Sequence, residues 1–302
     1  MLDNALQILK RGGLVAMPTE TVYGLAADAS NASAVAAIYD AKGRPRFNPL
    51  IAHVSDLDMA RLEGRFSEHA LKLANAFWPG PLTLVVDLAP AAKTCDLARA
   101  GLSTIALRCP AHPIARELIE LFGGPLVAPS ANLSGKISPT TASHVAKDLS
   151  DRINLILDGG PCETGLESTI IDARRDRPAL LRTGGITPAE IEAIWPDLIR
   201  PETNPDAPTA PGQLLRHYAP NAQLRLNAEN VAPDEALLGF GNTDATLNLS
   251  PSGNLTEAAA NLFTMLRQLD ETHHKIAVSR IPNRGIGEAI NDRLTRAARK
   301  SP

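Results

Sequence analysis

The feature that most constrains this chain is the shortness of its apolar runs. Residues 14–17, 50–54, 82–88, 104–107, 125–128, 155–157, 168–172 and 179–181 are too short to be buried helices, and each stops at proline, glycine or a polar turn. Runs of that kind read as buried strands. Between them lie helical periodicities. Ala34, Val35, Ala37, Ile38 and Ala41 share one spacing, and Ala70, Leu71, Leu73, Ala74 and Phe77 share another within 67–78. Residues 4–11, 141–149 and 188–195 add further helices, and Pro113 opens one that Gly123-Gly124 closes. Strands and helices mix without strict alternation, which predicts a twisted, mixed, open sheet in an α/β or α+β domain over residues 1–195.

Residues 196–220 have a different character. Pro196, Pro201, Pro205, Pro208, Pro211 and Pro220 make this a stiff, extended linker. It ends in Gln213-Leu214-Leu215-Arg216-His217-Tyr218, too polar and aromatic for a tether, so this end is expected to dock as a lid. Residues 221–302 return to strands near Leu224, at 237–240 and at 276–278, with a final helix over 287–299. A long helix between them has Asn254 and Glu257 at capping-box spacing and Ala258, Leu262, Phe263, Leu266 and Leu269 on one face. This is a small α/β domain.

Composition excludes several classes. A net charge of -3 over 302 residues argues against a general nucleic-acid coat, so any basic site must be local. Cys95, Cys109 and Cys162 show no C-x-x-C spacing, which fits reduced cytoplasm and neither a disulfide framework nor a zinc knuckle. No apolar run reaches the ~18 residues of a membrane span. Phosphate loops of the Walker type, nucleophile elbows and H-E-x-x-H are all missing.

What the chain offers instead is cations and hydroxyls at strand ends. Lys42-Gly43-Arg44-Pro45-Arg46-Phe47-Asn48-Pro49-Leu50 reads as a stiff basic loop suited to clamping phosphates. Thr19, Glu20, Thr21 and Tyr23 crowd the end of the first strand, and two later strands finish on Arg108 and Arg182. Residues 129–140, with Ser130, Asn132, Ser134, Gly135, Lys136 and Ser138, read as an anion-binding nest. If these groups converge, the pocket suits a polyanion, and catalysis rests on positioning and charge stabilisation.

Four stretches in order, residues 18–25, 42–50, 130–140 and 168–172, closely resemble the YrdC-like threonylcarbamoyl-AMP synthases. Arg216-His217-Tyr218-Ala219-Pro220 and the further domain resemble the longer, two-domain form, with its Rossmann-like C-terminal unit; Gln213-Leu214-Leu215 departs from that pattern. The resemblance implies an enzyme that joins L-threonine, bicarbonate and ATP into threonylcarbamoyl-AMP and pyrophosphate, with Mg²⁺ on the phosphates. The product would pass to a tRNA threonylcarbamoyl transferase that modifies an adenosine beside the anticodon, without stable tRNA binding here. By carry-over Thr21, His53, Arg108, Ala128 and Ser168 hold threonine or its carbamate. Lys42, Arg44, Asn48, Thr104, Ser130, Asn132, Ser138, Arg182 and Tyr218 hold nucleotide and phosphates, with Lys42, Arg44, Ser130 and Asn132 nearest the chemistry. The alternative is an RNA-binding or regulatory nucleotide-binding protein of the same fold.

Overall fold

The computed structural model describes residues 1–45, 47–201 and 217–299. The first half runs α1 (Leu2–Lys10), β1 (Val15–Met17), β2 (Gly24–Asp28), α2 (Ala32–Lys42), β3 (Ile51–His53), α3 (Leu57–Glu63), β4 (Gly64–Arg65), α4 (Glu68–Phe77) and β5 (Leu82–Leu88). It continues through β6 (Thr104–Arg108), α5 (Pro113–Phe122), β7 (Leu126–Val127), α6 (Ala142–Leu149), β8 (Leu155–Ile156), β9 (Thr169–Asp172), β10 (Ala179–Arg182) and α7 (Pro188–Ile194). After residue 217 come β11 (Gln223–Arg225), β12 (Ala236–Gly239), β13 (Leu247–Asn248), α8 (Leu255–Thr272), β14 (Lys275–Val278) and α9 (Gly287–Ala297).

Local chemistry sets these boundaries. Asn31 caps α2 by accepting from the Ser33 and Ala34 amides, and Gly43 ends it at φ +59. In α5, Pro113 occupies the first turn, and Gly123 closes the helix at φ +75. The sequence does not announce β2 or α3. The alanines of β2 favour strand weakly, so its state is imposed by antiparallel pairing to β1 and β7. Helix α3 is short and leans on Asp56, whose side chain accepts from the Met59 amide. At α8 the capping-box spacing is half used: Asn254 accepts from Thr256 and Glu257, but the Glu257 carboxylate turns to Ser250 Oγ at 2.5 Å. Thr187 and Glu190 form a complete box instead, on α7.

The large sheet has the order β10-β9-β5-β6-β3-β7-β2-β1-β8, with β4 beside β5. Pairings are parallel at β3/β6, β5/β9 and β1/β8 and antiparallel elsewhere, the mixed architecture the sequence predicts. Side chains alternate between faces along each strand, so residues two apart share a face. Ile51, Val85, Ala106 and Ile170 therefore form one small apolar strip across four neighbouring strands. His53, Thr83, Arg108 and Ser168 lie two residues further along the same face, which lines up polar groups beside an apolar floor.

The second sheet, β11-β14-β12-β13, is parallel throughout, and α8 buries Ala258, Leu262, Phe263, Leu266 and Leu269 against its core. That core includes Val22, Ile137, Leu166 and Tyr218. Gly165, at φ +71, touches α8; a Cβ there would lie 2.5 Å from the Ala260 Cα, so only glycine permits the approach. Arg267 spans the same seam to Asp148 at 2.6 Å. The proline-rich stretch 202–216, including Gln213-Leu214-Leu215 and Arg216, lies outside the described residues, as does Arg46. Among the described residues no helix is long and apolar enough to cross a membrane.

Candidate active site

Thr21, Arg44, Ile51, His53, Arg108, Ala128, Ser130, Glu167, Ser168, Arg182, His217 and Tyr218 line one cavity. Three arginines from three separate segments reach it: Arg44 from the loop after α2, Arg108 from the end of β6 and Arg182 from the end of β10. All are buried, at 9%, 4% and 9% exposure. Fixed cations in a place that excludes water interact far more strongly with an incoming anion than they would at the surface.

Each arginine is held differently. Arg108 donates to Thr21 Oγ1 at 2.8 Å and to Glu20 Oε1 at 2.6 Å, and the second Glu20 oxygen accepts from the Ala111 amide at 3.0 Å. Two of the fork's donors are therefore engaged by Glu20 and Thr21, and the Nε donates to the Gly80 carbonyl at 3.3 Å. Glu20 fixes the guanidinium's direction; the sequence places it in the polar cluster at the end of the first strand but does not show its pairing with Arg108. Arg182 bonds to the Ser168 carbonyl and hydroxyl, both at 3.0 Å. Arg44 donates to the Pro49 carbonyl at 3.1 Å, while its Nε is buried and has no hydrogen-bond partner among the described residues. Burial, more than its neighbours, pushes the Arg44 pKa down to about 10, and it stays charged at neutral pH.

Lys42 is placed otherwise than the clamp reading expects. It ends α2, is 2% exposed, and its ammonium donates to the carbonyls of Ser130 and Asn132, each at 2.5 Å. The Lys42 carbonyl in turn accepts from the Ser134 amide at 2.8 Å. Lysine thus staples the 130–134 loop and does not line the cavity. Much of the nest expected over 129–140 is likewise engaged by the protein, through Tyr23 and Lys42 as well as within the loop. The amides of Ala131, Asn132, Ser134 and Lys136 all bond to protein carbonyls, leaving Ser130 as the part of this loop nearest the cavity. Asn132 Nδ2 bonds to Leu133 and Lys136 carbonyls, and Ser138 Oγ donates to Glu167 Oε1 at 2.5 Å. Both residues stand behind the cavity wall.

Asn48 is fully buried, neither side-chain amide atom has a partner among the described residues, and it lies beside Arg44 but off the cavity lining. Thr104 begins β6, four residues from Arg108 along an extended strand, and pairs with Asp87; the structure does not bring it to the cavity. Strand geometry separates these two residues by about 13 Å.

Burial, with Arg108 beside it, lowers the His53 pKa to about 3, and burial lowers that of His217 to about 3 despite Glu167 nearby. Both imidazoles are neutral at physiological pH. Tyr218 adopts φ +62, is 1% exposed and stacks on Phe263 at 5.5 Å. Its neighbour Ala219 donates to the Gly135 carbonyl at 2.8 Å, so the end of the linker docks as expected. Glu167 is a cavity residue that the sequence does not single out, and His217, noted there only as part of the linker's end, lines the cavity as well.

Comparison with known proteins decides the family. The Sua5/YciO/YrdC model, described as telomere recombination, matches residues 7–184. A second, described as threonylcarbamoyl-AMP synthase, C-terminal domain, matches residues 186–299. The chain belongs to the threonylcarbamoyl-AMP synthase family. A threonylcarbamoyl-AMP synthase of Bacillus subtilis is 41% identical, covering 98% of this chain and 92% of the relative. One from Pyrococcus abyssi is 40% identical over 97% and 93%. The crystal structure of P. abyssi Sua5 complexed with L-threonine superposes with a TM-score of 0.91 at 38% identity, covering 98% of this chain and 94% of that one. Both sheet units of the family are therefore present here.

Proposed function

We propose that this chain is an L-threonylcarbamoyladenylate synthase, joining L-threonine, bicarbonate and ATP into threonylcarbamoyl-AMP with release of pyrophosphate. The observation that carries this reading is the convergence of Arg44, Arg108 and Arg182 with Thr21, Ser130 and Ser168 on one buried cavity. Threonine's amine and bicarbonate form a carbamate, the new carbon–nitrogen bond replacing a carbon–oxygen bond as water leaves. One carbamate oxygen attacks the α-phosphorus of ATP in line, a phosphorus–oxygen bond to the leaving pyrophosphate breaks, and no side chain becomes covalently attached. Threonine would lie against Thr21, His53 and Ala128, over the apolar strip that includes Ile51, with its carboxylate toward Arg108. Arg44 and Arg182 would receive the phosphates. Their contribution is charge already in place, which needs no reorganisation as the transition state forms.

ATP would enter as its magnesium complex. Among the described residues no group of three or more His, Cys, Asp or Glu side chains is placed to hold a metal, and Glu167 is the one carboxylate among the described residues lining the cavity. The metal would therefore be carried by the nucleotide's own oxygens. The product would pass to a transferase acting on tRNA, in the cytoplasm, where three unpaired cysteines fit reducing conditions.

The test is pyrophosphate release from purified protein. It should require ATP, threonine and bicarbonate together, because the nucleophile is made from the last two. Equal release when threonine is omitted would refute the reading. Serine should be used less well, since a missing methyl group discriminates by about 1–3 kcal/mol.

A further inference from the structure

We infer that Arg293, carried by the C-terminal helix α9, is a positioning residue for ATP: it neutralises the Glu167 carboxylate that would otherwise face the incoming phosphates. The inference rests on the ATP-dependent reading above and extends it to the second unit of the chain.

Arg293 is 0% exposed. Its Nε donates to Glu167 Oε2 at 2.9 Å, its Nη2 to the Thr183 carbonyl at 2.8 Å and its Nη1 to Asp292 Oδ2 at 2.8 Å. The guanidinium carbon also lies 5.2 Å from the centroid of the Tyr218 ring, in reach of a cation–π contact. Replacing a buried ion pair by apolar side chains is often neutral or stabilising, so docking alone does not call for arginine at this point. What sets the position apart is its partner. Glu167 lines the cavity and is 7% exposed, among arginines that gather phosphate oxygens.

Burial works to raise the Glu167 pKa, but Arg293, Arg182 and the Ser138 hydroxyl together hold it below the ordinary carboxylate range. The carboxylate is therefore ionised where a polyanion must enter. Its two oxygens are occupied, one by Ser138 Oγ at 2.5 Å and the other by Arg293. Without Arg293, Glu167 would turn to the remaining cations, and Arg182 is among those already acting on it. That competition falls on the phosphates. Threonine's carboxylate is directed at Arg108, which pairs with Glu20 and is not among the cations acting on Glu167, so the two substrates should respond differently.

The experiment uses the full chain with Arg293→Met, Glu167→Gln and the double variant. ATP dissociation constants are read by calorimetry without turnover, and KM values for ATP and threonine by pyrophosphate release. Arg293→Met should weaken ATP on the order of tenfold, and shift the threonine KM by no more than about twofold. Adding Glu167→Gln should recover ATP affinity to within about threefold of Glu167→Gln alone, since the offending charge is gone. A role confined to docking predicts no rescue, because the ion pair is absent from both variants, and that result would overturn the inference. Should Arg293→Met not fold, Arg293→Lys decides. It keeps the charge but gives up the fork, and ATP affinity within about threefold of wild type supports neutralisation, whereas a loss of about tenfold overturns it. Wild-type protein that binds ATP but releases no pyrophosphate would sink the proposed reaction while leaving this cycle readable.

Discussion

Replacing Lys42 with methionine separates the two roles a buried lysine can play next to a phosphate site. In the fold its ammonium holds the Ser130 and Asn132 carbonyls at 2.5 Å each. The Ser130 carbonyl also accepts from the Asn132 amide at 3.0 Å, so the variant leaves one of the two, that of Asn132, without a partner among the described residues, which costs about 1–3 kcal/mol. Against that, methionine removes the expense of burying an ammonium. Desolvation, with Arg44 adding repulsion, holds the Lys42 pKa well below its ordinary value, so this relief is substantial. With one carbonyl partner lost, the balance is a net destabilisation of no more than about 1–3 kcal/mol. Because the released loop carries Ser130, turnover should fall as well, chiefly in kcat as the loop loses its fixed geometry. Thermal denaturation by circular dichroism, run beside pyrophosphate kinetics, reads both effects. A variant that melts like wild type yet shows a steep rise in the ATP KM would refute the argument, since it would mean the ammonium turns from the carbonyls to the phosphates.

Arg44→Ala should do the opposite: the fold survives and kcat/KM drops by roughly a hundredfold, the scale of one preorganised charge contact; unchanged turnover in a folded variant would exclude Arg44 from the site. Acid should destabilise the protein through His53 and His217, each with a folded pKa near 3 against an unfolded value near 6.5. Their contribution is fully present above about pH 6.5 and is lost as pH falls toward 3, at about 1.4 kcal/mol per pH unit for each group. Between pH 5 and 6.5, where most carboxylates remain ionised, melting temperatures should fall less in His53→Asn and His217→Asn than in wild type.

The sequence by itself determined most of the elements and the family. Apolar runs of strand length, caps such as Asn31 and Ser67, and stops such as Gly43 and Gly123 act over a few neighbouring residues, so they are legible in one dimension. The order of the four polar stretches likewise pointed to Thr21, Arg44, His53, Arg108, Ala128, Ser130, Ser168, Arg182 and Tyr218, which do share one cavity. What the tertiary structure decided is where each charge is used. Lys42 and Arg44 are two residues apart, yet one faces loop carbonyls and the other the cavity, because α2 ends between them at Gly43. Strand β2, built of alanines, exists only because β1 and β7 flank it. The Arg108–Glu20 and Arg293–Glu167 pairs join residues 88 and 126 positions apart. No local pattern encodes them, since desolvating a charge forces it to find whichever opposite charge the fold brings near.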